Sequence, residues 1–201
     1  MNRAIHLLTI LAGLAFVLAA PARAATSAPF MMTTGATNPP IGHFEFCKRY
    51  PAECDQTSRS DTPMRLTPER WKTMLGINHQ VNSTVDPVTD MDEYGVQEYW
   101  AYPKAAGDCE DYVLAKRRAL MEDGFPASDL LITVVLQPNG DGHAVLTVHT
   151  DRGDFILDNM RNRVALWSDT EYTYVKRQSS LNSRRWDKIS DDRPALVGSV
   201  R

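Results

Sequence analysis

The sequence predicts an α+β domain in which the helices come first and an antiparallel sheet follows. Helical patterns cover residues 67–85 and a second stretch that begins at residue 108. Three segments with β-type patterns follow in close succession, at 130–137, 143–149 and 154–158. This separation of helices and strands along the chain indicates the α+β class.

Both long helices begin at sequences that favour a helix N-terminus. Thr67 is a good N-cap, and Pro68 fits the first helical position. Asp108 can cap the second helix, with Asp111 three residues later in a variant of the capping box. Gly124 then ends this helix. Its apolar face consists of Val113, Leu114, Leu120 and Met121.

The strand segments differ in their patterns. Residues 130–137 (LLITVVLQ) form a nearly continuous apolar run, which predicts a buried strand. Residues 143–149 alternate, and a hairpin turn over 150–153 leads into the strand at 154–158. A further strand is predicted over 172–178.

The first 24 residues have the layout of a secretory signal peptide. Arg3 supplies a positive start, Ile5–Ala20 is almost wholly apolar, and Ala22-Arg23-Ala24 is an A-x-A cleavage site. The alternative is an uncleaved membrane anchor, but the apolar run is shorter than the roughly 20 residues that span a bilayer. We therefore expect a cleaved, periplasmic protein without an integral membrane segment.

The rest of the chain predicts one domain with short flanking segments. Residues 25–42 are rich in Pro, Thr, Ser and Gly and predict a linker. The domain is expected over 43–189, beginning with a short helix at 43–50, and 190–201 predicts a flexible tail. Loss of Arg3 and Arg23 with the signal peptide changes the formal net charge from -3 to -5. No basic patch is dense enough to indicate a nucleic-acid partner.

The chain has three cysteines, an odd number for an oxidising compartment. Cys47 and Cys54 lie seven residues apart and predict one disulfide. Cys109 then remains as a free thiol, either a nucleophile or an inert buried side chain.

The surroundings of Cys109 favour a nucleophile. It lies in the first turn of the helix that begins at Asp108, where unpaired N–H groups and the helix dipole stabilise an anion. A thiolate there is expected to have a lowered pKa. Gly107 allows a sharp turn into the helix, and the Cys109 N–H is free to face a developing oxyanion.

His143 and Asp158 are the candidates for a general base and the group that orients it. His143 opens one predicted strand and Asp158 closes the next. A hairpin loop of residues 150–153, or of 151–152 alone, makes them diagonal neighbours on one face of the sheet. A three-residue loop would place them on opposite faces.

Three carboxylates flank the thiol at Asp108, Glu110 and Asp111. Their negative charge disfavours a thiolate. The simpler interpretation is that acidic residues suit a helix N-terminus. The alternative is a bound Ca²⁺, which prefers carboxylate and backbone oxygens and would neutralise the cluster. Further candidate ligands in the preceding loop are Asp86, Asp90, Asp92 and Glu93.

Several segments together resemble one known family. They are V-N (81–82), Y-G-V-Q-E-Y-W-A-Y-P (94–103), G-D-C-E-D-Y (107–112), K-R (116–117), H-A-V-L (143–146) and L-D-N (157–159), with G-H-F-E-F-C and P-A-E-C upstream. On these residues the chain resembles the bacterial transglutaminase-like cysteine proteinases over residues 42–187. The resemblance implies a papain/transglutaminase-like fold and a triad of Cys109, His143 and Asp158. It also implies calcium dependence through Asp108 and Glu110.

The resemblance carries expectations about partners as well. Some members of the family clip large surface adhesins near paired alanines, and an inner-membrane receptor that responds to cyclic-di-GMP holds them off. The implied partners are therefore a protein substrate of the adhesin type and an inner-membrane regulatory receptor.

A second oxyanion donor is expected upstream of the nucleophile. Trp100 is the candidate, and Tyr99, Gln97 and Asn82 are also able to donate. The alternative for Trp100 is simple packing of the long loop over 86–107.

The function predicted from these residues is that of a periplasmic cysteine endopeptidase. Two alternatives stay open. A transglutaminase would resolve the same thioester with an amine instead of water. A calcium-responsive binding module would keep the fold without useful catalysis.

Overall fold

The computed structural model describes residues 28–193, and the predicted signal peptide lies outside the described residues. A seven-stranded antiparallel sheet forms one layer. Its strands are β1 (Met32–Thr37), β4 (Leu130–Leu136), β5 (Gly142–Thr150), β6 (Gly153–Leu157), β7 (Ala165–Leu166), β8 (Thr173–Ser179) and β9 (Asn182–Ser190), in the order β1-β9-β8-β4-β5-β6-β7. The short strands β2 (Asp86–Pro87) and β3 (Ala106–Gly107) pair in parallel apart from it.

The helices occupy the first part of the chain, which confirms the predicted α+β class. They are α1 (Ile41–Arg49), α2 (Pro51–Cys54), α3 (Pro68–Thr84), α4 (Asp90–Tyr94) and α5 (Cys109–Glu122). The Thr67 hydroxyl accepts a hydrogen bond from the Arg70 N–H and caps α3 as predicted. Helix α5 packs on β5 and on α3. No described helix is long and apolar enough to cross a membrane.

Both faces of the sheet are covered, which explains the continuous apolar run of β4. Leu130 and Ile132 face a core shared with Leu114 and Leu120 of α5. Val135 belongs to a second apolar cluster on the opposite face. A strand that is buried on both faces needs apolar residues at successive positions. The other members of the second cluster are Met31, Val145, Ile156, Trp167, Tyr172, Tyr174 and Ile189.

The structure corrects the predicted linker over 25–42 and the start of the predicted tail. Residues 32–37 form β1, which pairs with β9 through an irregularity at Gly35, and α1 begins at residue 41. Every residue of β1 except Thr37 is exposed, so its order depends on pairing with a distant strand and not on its own pattern. Residue 190 ends β9, and Arg193 donates to the Trp167 carbonyl oxygen. The remainder of the predicted tail lies outside the described residues.

The predicted disulfide between Cys47 and Cys54 is confirmed, and it joins α1 to α2. Cys109 is the free cysteine. Because the other two of the three cysteines form the disulfide, Cys109 is the one thiol that an alkylating reagent can label in the oxidised protein.

Candidate active site

The hairpin between β5 and β6 brings His143 and Asp158 together. Thr150 pairs with Gly153, so the loop is Asp151–Arg152, one of the two lengths for which the sequence predicts their contact. His143 Nε2 lies 2.9 Å from Asp158 Oδ1, and both side chains are buried. Because Nε2 is engaged by the carboxylate, Nδ1 is the ring nitrogen left for proton exchange.

Asp158 is a carboxylate held by several donors. Its Oδ2 accepts a hydrogen bond of 2.5 Å from the Tyr172 hydroxyl, and its Oδ1 also accepts one from the Met160 N–H at 3.0 Å. Burial alone would raise the pKa of Asp158, but the hydrogen bonds from His143 and Tyr172 outweigh it and hold the pKa below its usual value. Sequence reasoning missed Tyr172, which lies in a predicted strand but gives no signal of its contact with Asp158.

Replacing Tyr172 with phenylalanine tests this support. Tyr172→Phe removes a hydrogen bond to a charged group, and we expect a loss of roughly 1.5–3 kcal/mol in the free energy of unfolding at neutral pH. A lowered folded-state pKa stabilises the protein above the ordinary carboxyl pKa, and that stability is lost as pH falls through the folded value. The difference between variant and wild type in urea unfolding should therefore shrink toward low pH. An equal difference at pH 7 and pH 2 would contradict this.

Helix α3 holds the backbone that follows Asp158. Asn82 Nδ2 donates to the Asp158 carbonyl oxygen at 2.8 Å and to Asn162 Oδ1 at 3.0 Å. One turn earlier, Asn78 Nδ2 donates to the carbonyl oxygens of Arg161 and Asn162. Asn82, one of the residues considered as an oxyanion donor, is thus engaged with the Asp158 loop.

Cys109 is the first residue of α5, with Asp108 at the N-cap position. Its Sγ lies 2.8 Å from Glu110 Oε2. Burial raises the pKa of the thiol, and the charge and hydrogen bond of Glu110 and the charge of Asp108 raise it further, while the Ala144 N–H lowers it. The thiol therefore lies beside the residue that follows His143. The expected lowering of the pKa by the helix N-terminus is outweighed here.

The acidic residues near the thiol separate into two groups. Carboxylate oxygens of Asp90, Asp108 and Asp111 all lie within 4.8 Å of one another. The Glu110 carboxylate, one of the predicted calcium ligands, contacts Cys109 and raises the pKa of Asp108 through its charge, but it is not among these mutually close oxygens. Asp92 is engaged with the Thr89 hydroxyl at the start of α4.

The chemistry of this acidic cluster fits a hard cation. Asp108 Oδ1 and Asp111 Oδ2 are buried without a hydrogen-bond partner in the described part of the chain. Burial and neighbouring carboxylates raise the pKa of Asp108 to about 8, and burial raises that of Asp111 to about 8. Buried oxygen ligands of this kind are those that Ca²⁺ prefers. Gly107 leaves room for them, since a Cβ there would lie 2.7 Å from Asp111 Oδ2.

The structure places Trp100 in the core. Its ring is 1% exposed and packs edge-on against His43 and Trp186. The indole N–H donates to Glu98 Oε2 at 3.2 Å. This N–H is therefore already engaged by Glu98. The charge of Glu98 also raises the pKa of Glu110, so Glu98 lies near the acidic residues beside the thiol.

Comparisons with known proteins agree with this fold. Calcium-bound LapG of Legionella pneumophila aligns with a TM-score of 0.51 and 21% identity, over 66% of this chain and 77% of LapG. The EGTA-treated form aligns with a TM-score of 0.51 and 22% identity, over 64% and 74%. A further LapG structure aligns with a TM-score of 0.47 and 23% identity, over 56% of this chain and 66% of that one. A search of curated proteins gives no match.

The family itself is shown by a sequence comparison. The model of the family described as bacterial transglutaminase-like cysteine proteinase matches residues 33–194. This range includes all of β1 except Met32, the helix that begins at Cys109, and both His143 and Asp158. The chain belongs to the bacterial transglutaminase-like cysteine proteinases.

Proposed function

We propose that the protein is an exported cysteine endopeptidase whose catalytic triad is Cys109, His143 and Asp158. The buried hydrogen bond between His143 Nε2 and Asp158 Oδ1 is the observation that carries this proposal. It fixes the ring and leaves Nδ1 to accept a proton, and the backbone of Ala144, the residue after His143, lowers the pKa of the Cys109 thiol. A base held by a buried carboxylate beside a thiol is the arrangement that activates a nucleophile.

The reaction follows from these positions. His143 Nδ1 takes the proton of Cys109, and Sγ attacks the carbonyl carbon of the substrate. The Cys109 N–H stabilises the oxyanion, and His143 returns the proton to the departing amine as the peptide bond breaks. His143 then deprotonates a water that hydrolyses the thioester and regenerates the thiol. Asp158 keeps the ring oriented and stabilises the imidazolium throughout.

Trp100 remains our candidate for the second oxyanion donor. Its N–H now donates to Glu98. It can serve only if the substrate carbonyl oxygen replaces Glu98 as the acceptor.

We further propose that Asp90, Asp108 and Asp111 hold Ca²⁺. Support comes from two buried oxygens of this cluster that have no partner among the described residues, and from the similar fold of LapG, which was solved in a calcium-bound form. When bound, the cation supplies positive charge that neutralises the carboxylates. The charge of Asp108 then no longer raises the pKa of Cys109, so the thiolate forms more readily.

Alkylation of Cys109 tests both parts of the proposal. Iodoacetamide reacts with the thiolate, so the wild-type protein should be labelled faster in calcium than in EGTA, by roughly tenfold for each unit by which the cation lowers the pKa. Labelling that is equally fast in calcium and in EGTA would support Cys109 as the nucleophile and contradict the calcium site. Slow labelling in both conditions would overturn the peptidase and favour the binding module. A labelled amine distinguishes the two enzyme classes. A transglutaminase attaches the amine to the acyl group of its substrate, whereas a hydrolase releases that acyl group to water.

Export to the periplasm rests on the sequence of residues 1–24. A protein substrate follows from the family. An adhesin as that substrate and an inner-membrane receptor as regulator are proposals drawn from the resemblance alone.

A further inference from the structure

A cavity of about 230 Å³ lies between the start of β4, the turn that joins β8 to β9, and the segment that follows α2. Its buried lining residues are Arg117, Leu131, Gln178 and Ser183, and the exposed ones include Thr57. Among the described residues that line it, Arg117 is charged and none carries a carboxylate. Pockets for drug-sized molecules enclose roughly 300–1,000 Å³, so a ligand of this cavity is expected to be smaller.

The cavity opens where β4 and β8 separate. The ladder between these strands ends at Thr133, and beyond it side chains satisfy the backbone of β4. Gln178 Oε1 accepts a hydrogen bond from the Ile132 N–H at 3.0 Å, and Arg117 Nε donates to the Leu130 carbonyl oxygen at 3.0 Å. The separation of the strands therefore fixes the guanidinium group of Arg117 beside the cavity.

Arg117 is a buried charge without a counter-ion in the described chain. The residue is 4% exposed, and an arginine side chain stays charged in proteins. Its Nη2 donates to Gln56 Oε1 at 2.8 Å, and neither this amide nor the Leu130 carbonyl is charged. Glu53 pairs with Arg118 at 2.8 Å and not with Arg117. Buried charges are normally paired, so the charge of Arg117 favours an anion in the cavity.

Several hydrogen-bond donors around the cavity are unused. Arg117 Nη1 has no acceptor among residues 28–193, and it is not among the fully buried atoms without a partner, so the small exposed part of the residue includes this nitrogen. The hydroxyls of Thr57, Ser128 and Ser180 line the cavity and make no hydrogen bond to the described residues. These donors come from four separate segments of the chain. Arginine and hydroxyl donors that converge in this way suit the several oxygens of a phosphate group.

We propose that this cavity binds a phosphate group, as inorganic phosphate or as a small phosphate monoester, through Arg117 and the surrounding hydroxyls. The anion supplies the counter-charge that Arg117 lacks. Arg117 lies eight residues after Cys109 in α5, about 12 Å along the helix axis. The inference therefore does not rest on the proposed triad.

Titration calorimetry with inorganic phosphate tests the site, in EGTA and with chloride at equal ionic strength as the reference. Phosphate should bind the wild type at one saturable site and raise its Tm, whereas chloride should do neither. Arg117→Gln should weaken binding by roughly 10- to 100-fold, the scale of a charge-assisted hydrogen bond. Arg59→Gln removes the same charge from an exposed residue outside the lining and should keep the wild-type affinity. No saturable binding to the wild type, or equal losses in both variants, would overturn the inference.

A second variant is needed because Arg117 also supports the backbone of β4. Ser180→Asp introduces a carboxylate at a residue that lines the same cavity. Because this carboxylate can pair with Arg117, the variant should have a raised Tm without phosphate and should lose the rise that phosphate causes. Unchanged phosphate binding in folded Ser180→Asp would contradict the site even if Arg117→Gln does not fold.

Two further ligands identify the chemistry of the anion. Glycerol 3-phosphate carries the same group as an ester, so binding tighter than that of inorganic phosphate would support a monoester as the ligand. Weaker binding would support free phosphate. Acetate has a negative charge without the tetrahedral arrangement of oxygens, and acetate binding as tight as that of phosphate would overturn the assignment to a phosphate group.

Discussion

Replacing Cys109 with alanine is expected to abolish proteolysis of any substrate that the wild type cleaves. Loss of the nucleophile of a triad lowers kcat by roughly 10⁶-fold, because the acyl-enzyme cannot form and the other members cannot replace it. The fold should persist, since Cys109 is a small side chain at the edge of the core and takes no part in the disulfide. Turnover and the melting temperature of the purified variant are the two measurements. Retained turnover in a folded variant would rule out the proposed nucleophile.

The same two strands offer a matched control for the base. His149 Nδ1 lies 2.5 Å from Asp154 Oδ1, so β5 and β6 carry a second His-Asp pair. It lies six residues from His143 along β5, about 20 Å at the rise of an extended strand. We expect His143→Ala to lose turnover and His149→Ala to retain it in the folded protein. Equal losses in both would show that the defect comes from the sheet and not from the triad.

Calcium is expected to stabilise the protein through Asp90, Asp108 and Asp111. A ligand that binds only the folded state at 100 times its Kd adds about 2.7 kcal/mol to the free energy of unfolding. For a domain of this size, that corresponds to a rise of about 5–10 °C in Tm relative to EGTA. The physical reason is that the cation replaces protons and repulsion among buried carboxylates with direct ligation.

Single amide variants locate the site. Asp108→Asn and Asp111→Asn should each reduce the calcium-dependent rise in Tm, and both should be at least as stable as wild type in EGTA because an amide cannot take on the charge that burial disfavours there. Asp61→Asn changes an exposed carboxylate far along the chain and should keep the full rise. An unchanged rise in Tm in all three variants would show that calcium binds outside this cluster. No rise in the Tm of the wild type would contradict calcium binding altogether.

Local features of the sequence were sufficient for the elements that carry the proposed triad. The cap at Thr67 set where α3 begins, because a helix N-terminus is decided by hydrogen bonds within one turn. Asp108 does occupy the N-cap position of α5, but its side chain makes no capping hydrogen bond, so the predicted capping box there was wrong. The sequence predicted a hairpin over 150–153 between β5 and β6, but it left a three-residue loop open, which would have put His143 and Asp158 on opposite faces. The structure decided for the loop Asp151–Arg152. The short spacing of Cys47 and Cys54 likewise predicted the disulfide. Each of these depends on contacts between residues that are close in the chain.

Other features depended on residues that are distant in the chain. Strand β1 is exposed and polar, so only its pairing with β9 distinguishes it from the predicted linker. Asp90 joins Asp108 and Asp111 because α4, which begins at Asp90, lies close to the start of α5, and the sequence alone ranked Asp90 no higher than its acidic neighbours. Glu110 turns instead toward Cys109.

The groups that contact Asp158 also come from parts of the chain that are distant in sequence. Tyr172 contacts it from the segment before β8, and Asn82 contacts its backbone from α3, two parts of the chain with no shared local pattern. The sequence by itself indicated which residue types begin and end the local elements, and with them the proposed nucleophile, base and carboxylate. Only the tertiary structure decided which side chains surround them, because burial, charge and hydrogen bonding at a site are sums over elements that packing brings together.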